Sequence, residues 1–168
     1  NLHVVASVFS ASHHKYLSGK MKCSSNVISS QDRLEMIRLG LKEEKEMSNF
    51  GDNFACVDSW ESYQENFVDF PDVTRSLQQR LDINFGVNKF RVWFLCGLDH
   101  AEKCGLFRYG VIDSYGENHS FVCIYRSGTP LSHEALCIDS NVGILVNESD
   151  ESDEKYGNDS VSSTRIRE

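Results

Sequence analysis

Apolar runs short enough to be strands alternate along the chain with stretches of helical period. His3–Ser10, HVVASVFS, is an apolar run rich in β-branched residues, and predicts a strand covered on both faces, as in a parallel sheet. Ala11–Ile28 is polar, with Gly19, several serines and the basic group His13, His14, Lys15, Lys20 and Lys22; it predicts a solvated loop at the strand's carboxyl end. Ser29-x-x-Asp32 opens the first clear helix, with Leu34, Ile37 and Leu41 recurring at i, i+3 and i+7 and the charged run Lys42–Glu46 at its end.

A second strand is expected over Phe54–Trp60, FACVDSW, after the turn Gly51-Asp52-Asn53. Helical stretches follow over Glu61–Val68 and, past Phe70-Pro71, over Asp72–Leu81, where Val73, Leu77 and Leu81 stack at i, i+4 and i+8. Lys89–Cys96, KFRVWFLC, predicts the third strand, running into Gly97-Leu98-Asp99-His100. His119–Tyr125 and Val142–Val146 predict the fourth and fifth, and the acidic Glu148–Ser160 predicts a flexible loop. Strands alternating with helices give an α/β class with a mostly parallel sheet of about five strands flanked by helices, in a single domain.

Composition narrows the function. The 168 residues carry a formal net charge of −8, which argues against nucleic acid or an anionic membrane as partner. No apolar run is long enough to span a bilayer. The N-terminus lacks a basic leader and reads as a strand that starts mid-domain. None of the six cysteines forms a C-x-x-C pair, and Cys56, Cys96 and Cys123 lie in apolar runs, as small buried hydrophobes do; a reducing, intracellular setting is expected, nucleus or cytoplasm. A metal site on Cys96, His100 and Cys104 has helical spacing but is not the expected role.

Polar residues suited to nucleotides gather where strands end: Asp58–Glu61, Gly97–His100 and Arg126–Gly128. At the C-terminus, Val161–Glu168 reads VSSTRIRE. Three hydroxyls ahead of a helix-compatible segment with two arginines suit phosphate oxygens, because a helix N-terminus offers free N–H groups and partial positive charge. An ordinary Ser-capped helix with solvated arginines has the same pattern.

In order, Asp32-Arg33-Leu34-Glu35-Met36, Val57-Asp58-Ser59-Trp60-Glu61-Ser62, Phe94-Leu95-Cys96-Gly97-Leu98-Asp99, Cys123–Gly128, Val146-Asn147-Glu148 and Ser162-Ser163-Thr164-Arg165-Ile166-Arg167 resemble the eukaryotic nicotinamide/nicotinic acid mononucleotide adenylyltransferases. The resemblance spans nearly the whole chain. It implies a Rossmann-like nucleotidyltransferase fold and transfer of AMP from ATP, with Mg²⁺, to a pyridine mononucleotide 5′-phosphate, releasing pyrophosphate in NAD biosynthesis. It implies that Trp60 stacks on the pyridine ring, with Glu61, Tyr16, Lys20 and Phe107 on the same substrate. Gly97, Asp99 and Asn147 are implied on the ATP side, and Ser162, Ser163, Thr164, Arg165 and Arg167 around the phosphates, with Ser163 and Arg167 catalytic. A homo-oligomer is compatible with it.

The sequence also departs from that pattern. Ser10, Tyr16 and Lys20 echo an S-P-x-x-x-x-Y-x-K segment with Ala11 in place of Pro, and Arg165 stands where Lys is usual. The second pyridine-contacting Trp is absent, leaving Phe107 as the nearest aromatic, and no convincing H-x-x-H segment is present. His3–Ser10 aligns with the family's second strand, so the chain is expected to be a fragment lacking the first βα unit and the C-terminal tail. Two further readings stay open: a nucleotide-binding or chaperone-like module without catalysis, and an adenylyltransferase for another phosphorylated acceptor such as phosphopantetheine.

Overall fold

Ser29 starts the longest helix as its sequence predicts. Its hydroxyl accepts the Asp32 N–H at 3.1 Å and donates to the Asp32 carboxylate at 2.6 Å, while its carbonyl accepts the Arg33 N–H. The computed structural model describes residues 3–20, 27–47, 54–108, 111, 120–126, 128–139 and 143–148. The chain forms two compact units, Asn1–Val73 and Thr74–Glu168. Each is an α/β arrangement whose strands pair in parallel.

In the first unit, β1 (Ser7–Ser10) is followed by α1 (His14–Lys20), α2 (Ser30–Met47), β2 (Ala55–Asp58) and a 3-10 turn over Glu61–Tyr63. β1 and β2 run parallel with Ser7 opposite Ala55 and Ser10 opposite Asp58. The α2 stripe is as expected: Leu34 is fully buried, Ile37 and Leu41 are half-buried, and Met36 and Leu39 on other sides are exposed. Burying one Leu stabilises by about 1.5–3 kcal/mol, so α2 is held chiefly by this seam.

The second unit contains most of α3 (Phe70–Phe85), then β3 (Phe94–Gly97), α4 (Leu98–Lys103), β4 (Phe121–Arg126), α5 (His133–Leu136) and β5 (Gly143–Glu148). The order β3–β4–β5 is parallel throughout. Its core is Leu98, Ala101, Leu106, Phe107, Phe121, Cys123 and Ala135, with the Phe107 and Phe121 rings edge to face at 5.7 Å. Pro71 sits in the first turn of α3, where its missing N–H costs nothing, and Gly86 at φ 96° ends that helix by donating to the Asp82 carbonyl.

Several expectations are corrected. Among the described residues the strands pair as a two-stranded sheet in the first unit and a three-stranded sheet in the second, where one sheet of about five was expected. The polar stretch expected as loop contains α1, held by contacts of Lys15 and Tyr16 to residues 65–67, with His13 just ahead of it bonded to Gln64, and not by an apolar stripe of its own. The helix expected over Glu61–Val68 is one 3-10 turn. The third strand starts at Phe94, not Lys89, because Gln78 of α3 takes the N–H of Val92 and donates to the carbonyl of Phe90. Val8 and Cys56, opposite one another in the register, are both exposed, so neither β1 nor Cys56 is covered as expected. Asn147 and Glu148 lie within β5 rather than beyond it; residues 149–160 are outside the described residues. No helix among the described residues is long and apolar enough to cross a membrane.

Candidate functional site

The carboxyl ends of β1 and β2 lie side by side, and the segments leaving them are tied together residue by residue. Ser10, the last residue of β1, donates its hydroxyl to Glu61 Oε2 at 2.6 Å. The His13 N–H donates to Glu61 Oε1 at 2.9 Å, and the buried Ser62 hydroxyl to the Ala11 carbonyl at 2.7 Å. Further out, Lys15 Nζ donates to the Glu65 carbonyl and to Asn66 Oδ1, and Tyr16 stacks on Phe67 with ring centres 5.8 Å apart. Lys20 lies over the Tyr16 ring at 6.0 Å.

His13, expected in a solvated loop, is instead 4 % exposed. Its Nδ1 faces the Lys15 N–H at 3.2 Å and its Nε2 the Gln64 carbonyl at 2.9 Å. A ring nitrogen that accepts from N–H carries no proton, so this pattern assigns the Nε2–H tautomer. Both nitrogens are therefore engaged within the chain. Its burial arises from residues 61–67, some fifty positions away, and not from its polar sequence neighbours.

Arg33, in the first turn of α2, reaches into the same cluster. Its guanidinium donates to the carbonyls of Ile28 and Ser12 and to the Ser30 hydroxyl, and its Nε is buried without a partner among the described residues. Burial pulls the guanidinium pKa below its ordinary value, while the nearby Glu61 charge acts in the opposite direction. Glu61 thus accepts from two donors on the exit of β1, with the Arg33 cation nearby, so its carboxylate is held in place.

Trp60 begins the 3-10 turn at this end of β2 and is half-buried. Its N–H donates to Asp58 Oδ1 at 3.2 Å, and its carbonyl accepts from Gln64 Nε2 at 2.9 Å. Of the expected pyridine-side residues, Trp60 and Glu61 thus leave β2 together, with Ser10, His13, Arg33 and Gln64 about them, while Tyr16 and Lys20 lie on α1, where Tyr16 packs on Phe67. In the sequence, Ser10 and Arg33 stand in segments that carry the resemblance and His13 in a basic group, but nothing there links them to Glu61, and Gln64 carries no signal.

In the second unit, Gly97 ends β3 and is the N-cap of α4, with Asp99 exposed in the first turn. The Gly97 backbone is extended (φ −83°, ψ 164°), and a Cβ there would meet nothing within 4 Å. Backbone conformation thus does not require glycine at 97. Phe107, expected at the pyridine, is a buried core ring packed on Phe121. Asn147 pairs with Tyr125 in the β4–β5 register. Ser162, Ser163, Thr164, Arg165 and Arg167 lie outside the described residues.

Cys96 and Cys123 stand opposite each other on β3 and β4. Burial first, and the neighbouring Cys123 and Cys104 thiols second, push the Cys96 pKa up to about 12. Burial likewise raises the pKa of Cys123. Such thiols are poor nucleophiles. The Cys104 sulfur lies 3.5 Å from His100 Nε2, yet no group of three or more His, Cys, Asp or Glu among the described residues could hold a metal ion. The chain matches no protein-family model and no curated protein.

Proposed function

We propose that the chain is a nucleotidyltransferase domain of Rossmann-like type, acting as a nicotinamide/nicotinate mononucleotide adenylyltransferase. The observation that carries this reading is the Trp60–Glu61 turn, held at the carboxyl end of a parallel strand pair by donors from the neighbouring strand's exit. Ligands of open α/β sheets bind at carboxyl ends of strands. The turn stands in V-D-S-W-E-S, one of the segments that carry the resemblance to these adenylyltransferases. Further support comes from Gly97 and Asp99, placed at the carboxyl end of β3.

In this reading Trp60 stacks on the pyridine ring, and Tyr16 and Lys20 lie on the mononucleotide side. Gly97 lets the adenosine approach the backbone, Asp99 accepts from a ribose hydroxyl, and Asn147 lies on the same side. Ser162, Ser163, Thr164, Arg165 and Arg167 bind the phosphates of ATP, which arrives as its Mg²⁺ complex. The mononucleotide 5′-phosphate oxygen attacks the α-phosphorus in line, the bond to the bridging oxygen breaks, and pyrophosphate leaves. Positioning and charge neutralisation supply the rate, with no covalent enzyme intermediate.

A second reading, a nucleotide-binding module without transfer, is favoured by His13, whose ring nitrogens are both bonded within the chain and so take no part in phosphate chemistry. Incubation with Mg²⁺–ATP and nicotinamide mononucleotide, followed by ³¹P NMR, separates the two. Dinucleotide and pyrophosphate in equal amounts support transfer. Saturable binding of both ligands with no product supports the module, and binding of neither refutes both.

A further inference from the structure

We propose that Glu61 is a positioning residue, which fixes the backbone carrying Trp60 rather than touching a ligand itself. This rests on the reading of Trp60 as the ring-stacking residue. The resemblance places Glu61 at the substrate, but each of its carboxylate oxygens already accepts from the chain: Oε2 from Ser10 Oγ at 2.6 Å, Oε1 from the His13 N–H at 2.9 Å. A carboxylate bonded through both oxygens to two different residues is held in one orientation, and such charge-assisted bonds are roughly twice as strong as neutral ones. Arg33 adds a cation whose own bonds go to carbonyl and hydroxyl oxygens, so that the Glu61 charge is matched inside the cluster.

What Glu61 holds in place is the next residue back. The Trp60 N–H is bonded to Asp58 Oδ1 and its carbonyl to Gln64 Nε2, so Asp58 fixes one side of the residue and Gln64 the other. These two tie Trp60 only to its own segment. Glu61 and Ser62 tie that segment to the exit of β1, Ser62 through the Ala11 carbonyl. With its backbone fixed, a tryptophan has only two side-chain torsions to settle, and the ring plane becomes a defined stacking surface.

Replacement by glutamine and by alanine distinguishes geometry from bulk. In Glu61→Gln the amide oxygen still accepts from the His13 N–H, and the amide NH₂ donates to Ser10 Oγ, so both bridges persist without the charge. In Glu61→Ala both are lost. Trp93 is the second of two tryptophans, so a Trp93→Phe background leaves Trp60 as the sole indole emitter. In that background the measurements are time-resolved anisotropy of Trp60 without ligand, and fluorescence titrations with nicotinamide mononucleotide and with ATP.

Glu61→Ala should add a fast depolarising motion of Trp60 and raise the mononucleotide Kd about tenfold, within the range of one stacking contact, with the ATP Kd unchanged. Glu61→Gln should restore the anisotropy decay and return affinity to within about threefold of the parent. Unchanged anisotropy in Glu61→Ala overturns the proposal. So does an equal loss of both ligands, which marks a general structural defect, or failure of Glu61→Gln to restore order, which marks charge and not geometry as the agent. Should Glu61→Ala fail to fold, Ser10→Ala, which removes one bridge, is read in the same way. If the Trp93→Phe parent binds no mononucleotide, the proposed substrate is wrong, while the ligand-free anisotropy still decides the role of Glu61.

Discussion

Gly143 and Gly97 both lie on strands of the second unit, and the structure assigns them opposite responses to a methyl group. Gly143 faces Phe121 across the β4–β5 register. A Cβ at 143 would lie 2.6 Å from Phe121 Cζ, 2.8 Å from Cε1 and 2.9 Å from Ile138 Cγ1, each well inside contact distance. Phe121 is 1 % exposed, so its ring has nowhere to move without disturbing Phe107 and the packed face of the sheet. Overpacking of this kind costs about 1–3 kcal/mol, offset by about 0.4–1 kcal/mol from the stiffer unfolded chain. Gly143→Ala should therefore lose about 1–2 kcal/mol, which for a chain of this size lowers Tm by about 2–8 °C. At Gly97 the same methyl meets nothing and the backbone is extended, so Gly97→Ala should leave Tm within about 2 °C of wild type. Thermal unfolding followed by circular dichroism measures both. Gly143→Ala as stable as wild type, or a Gly97→Ala loss as large as that at 143, would refute the packing described for this sheet.

The remaining predictions are of function and of pH. Arg167→Ala should weaken ATP binding about tenfold or more by calorimetry while leaving Tm unchanged, and unchanged ATP affinity would remove the C-terminal arginines from the phosphate site. Cys96, with its pKa raised from 9.0 to about 12, should resist iodoacetamide at pH 8 while the exposed Cys56 and Cys137 react; mass spectrometry of digested peptides reads the order. The same shift has a sign for stability. A thiol harder to ionise when folded leaves stability intact below about pH 9, and stability should fall as pH rises from 9 toward 12. Cys96→Ser should flatten that alkaline decline.

Local signals were legible wherever the physics is local. Ser29 and Asp32 cap α2, and Leu34, Ile37 and Leu41 form its inward seam, with Leu34 fully buried, because both depend on residues within a few positions. Lys89–Cys96 shows the limit. Its hydrophobicity is that of a strand, but Gln78 claims the Val92 N–H, and the ladder begins only at Phe94. α1 is illegible for a similar reason: seven residues with Gly19 among them and no apolar stripe carry no helical period, and what holds them are Glu65, Asn66 and Phe67, with Gln64 bonded to His13 just ahead.

The candidate site divides the same way. Trp60, Glu61, Gly97 and Asp99 are legible because strand ends and short motifs are visible in one dimension. The bonds from Ser10 and His13 to Glu61, and the reach of Arg33 toward Ser12, arise only once two parallel strands bring distant residues side by side. His13 is the sharpest case. Its neighbours in sequence are polar and basic, and nothing near it predicts burial; its partner carbonyl belongs to Gln64.

The proposed role of Trp60 is to be the surface on which a pyridine mononucleotide stacks. Calorimetric titration of wild type and Trp60→Ala, each with nicotinamide mononucleotide and with Mg²⁺–ATP, tests it most directly. A stacking contact is worth about 1–3 kcal/mol, so Trp60→Ala should raise the mononucleotide Kd by about 5- to 150-fold and leave the ATP Kd within about twofold. Equal loss of both ligands, or mononucleotide binding indifferent to Trp60, would contradict the account.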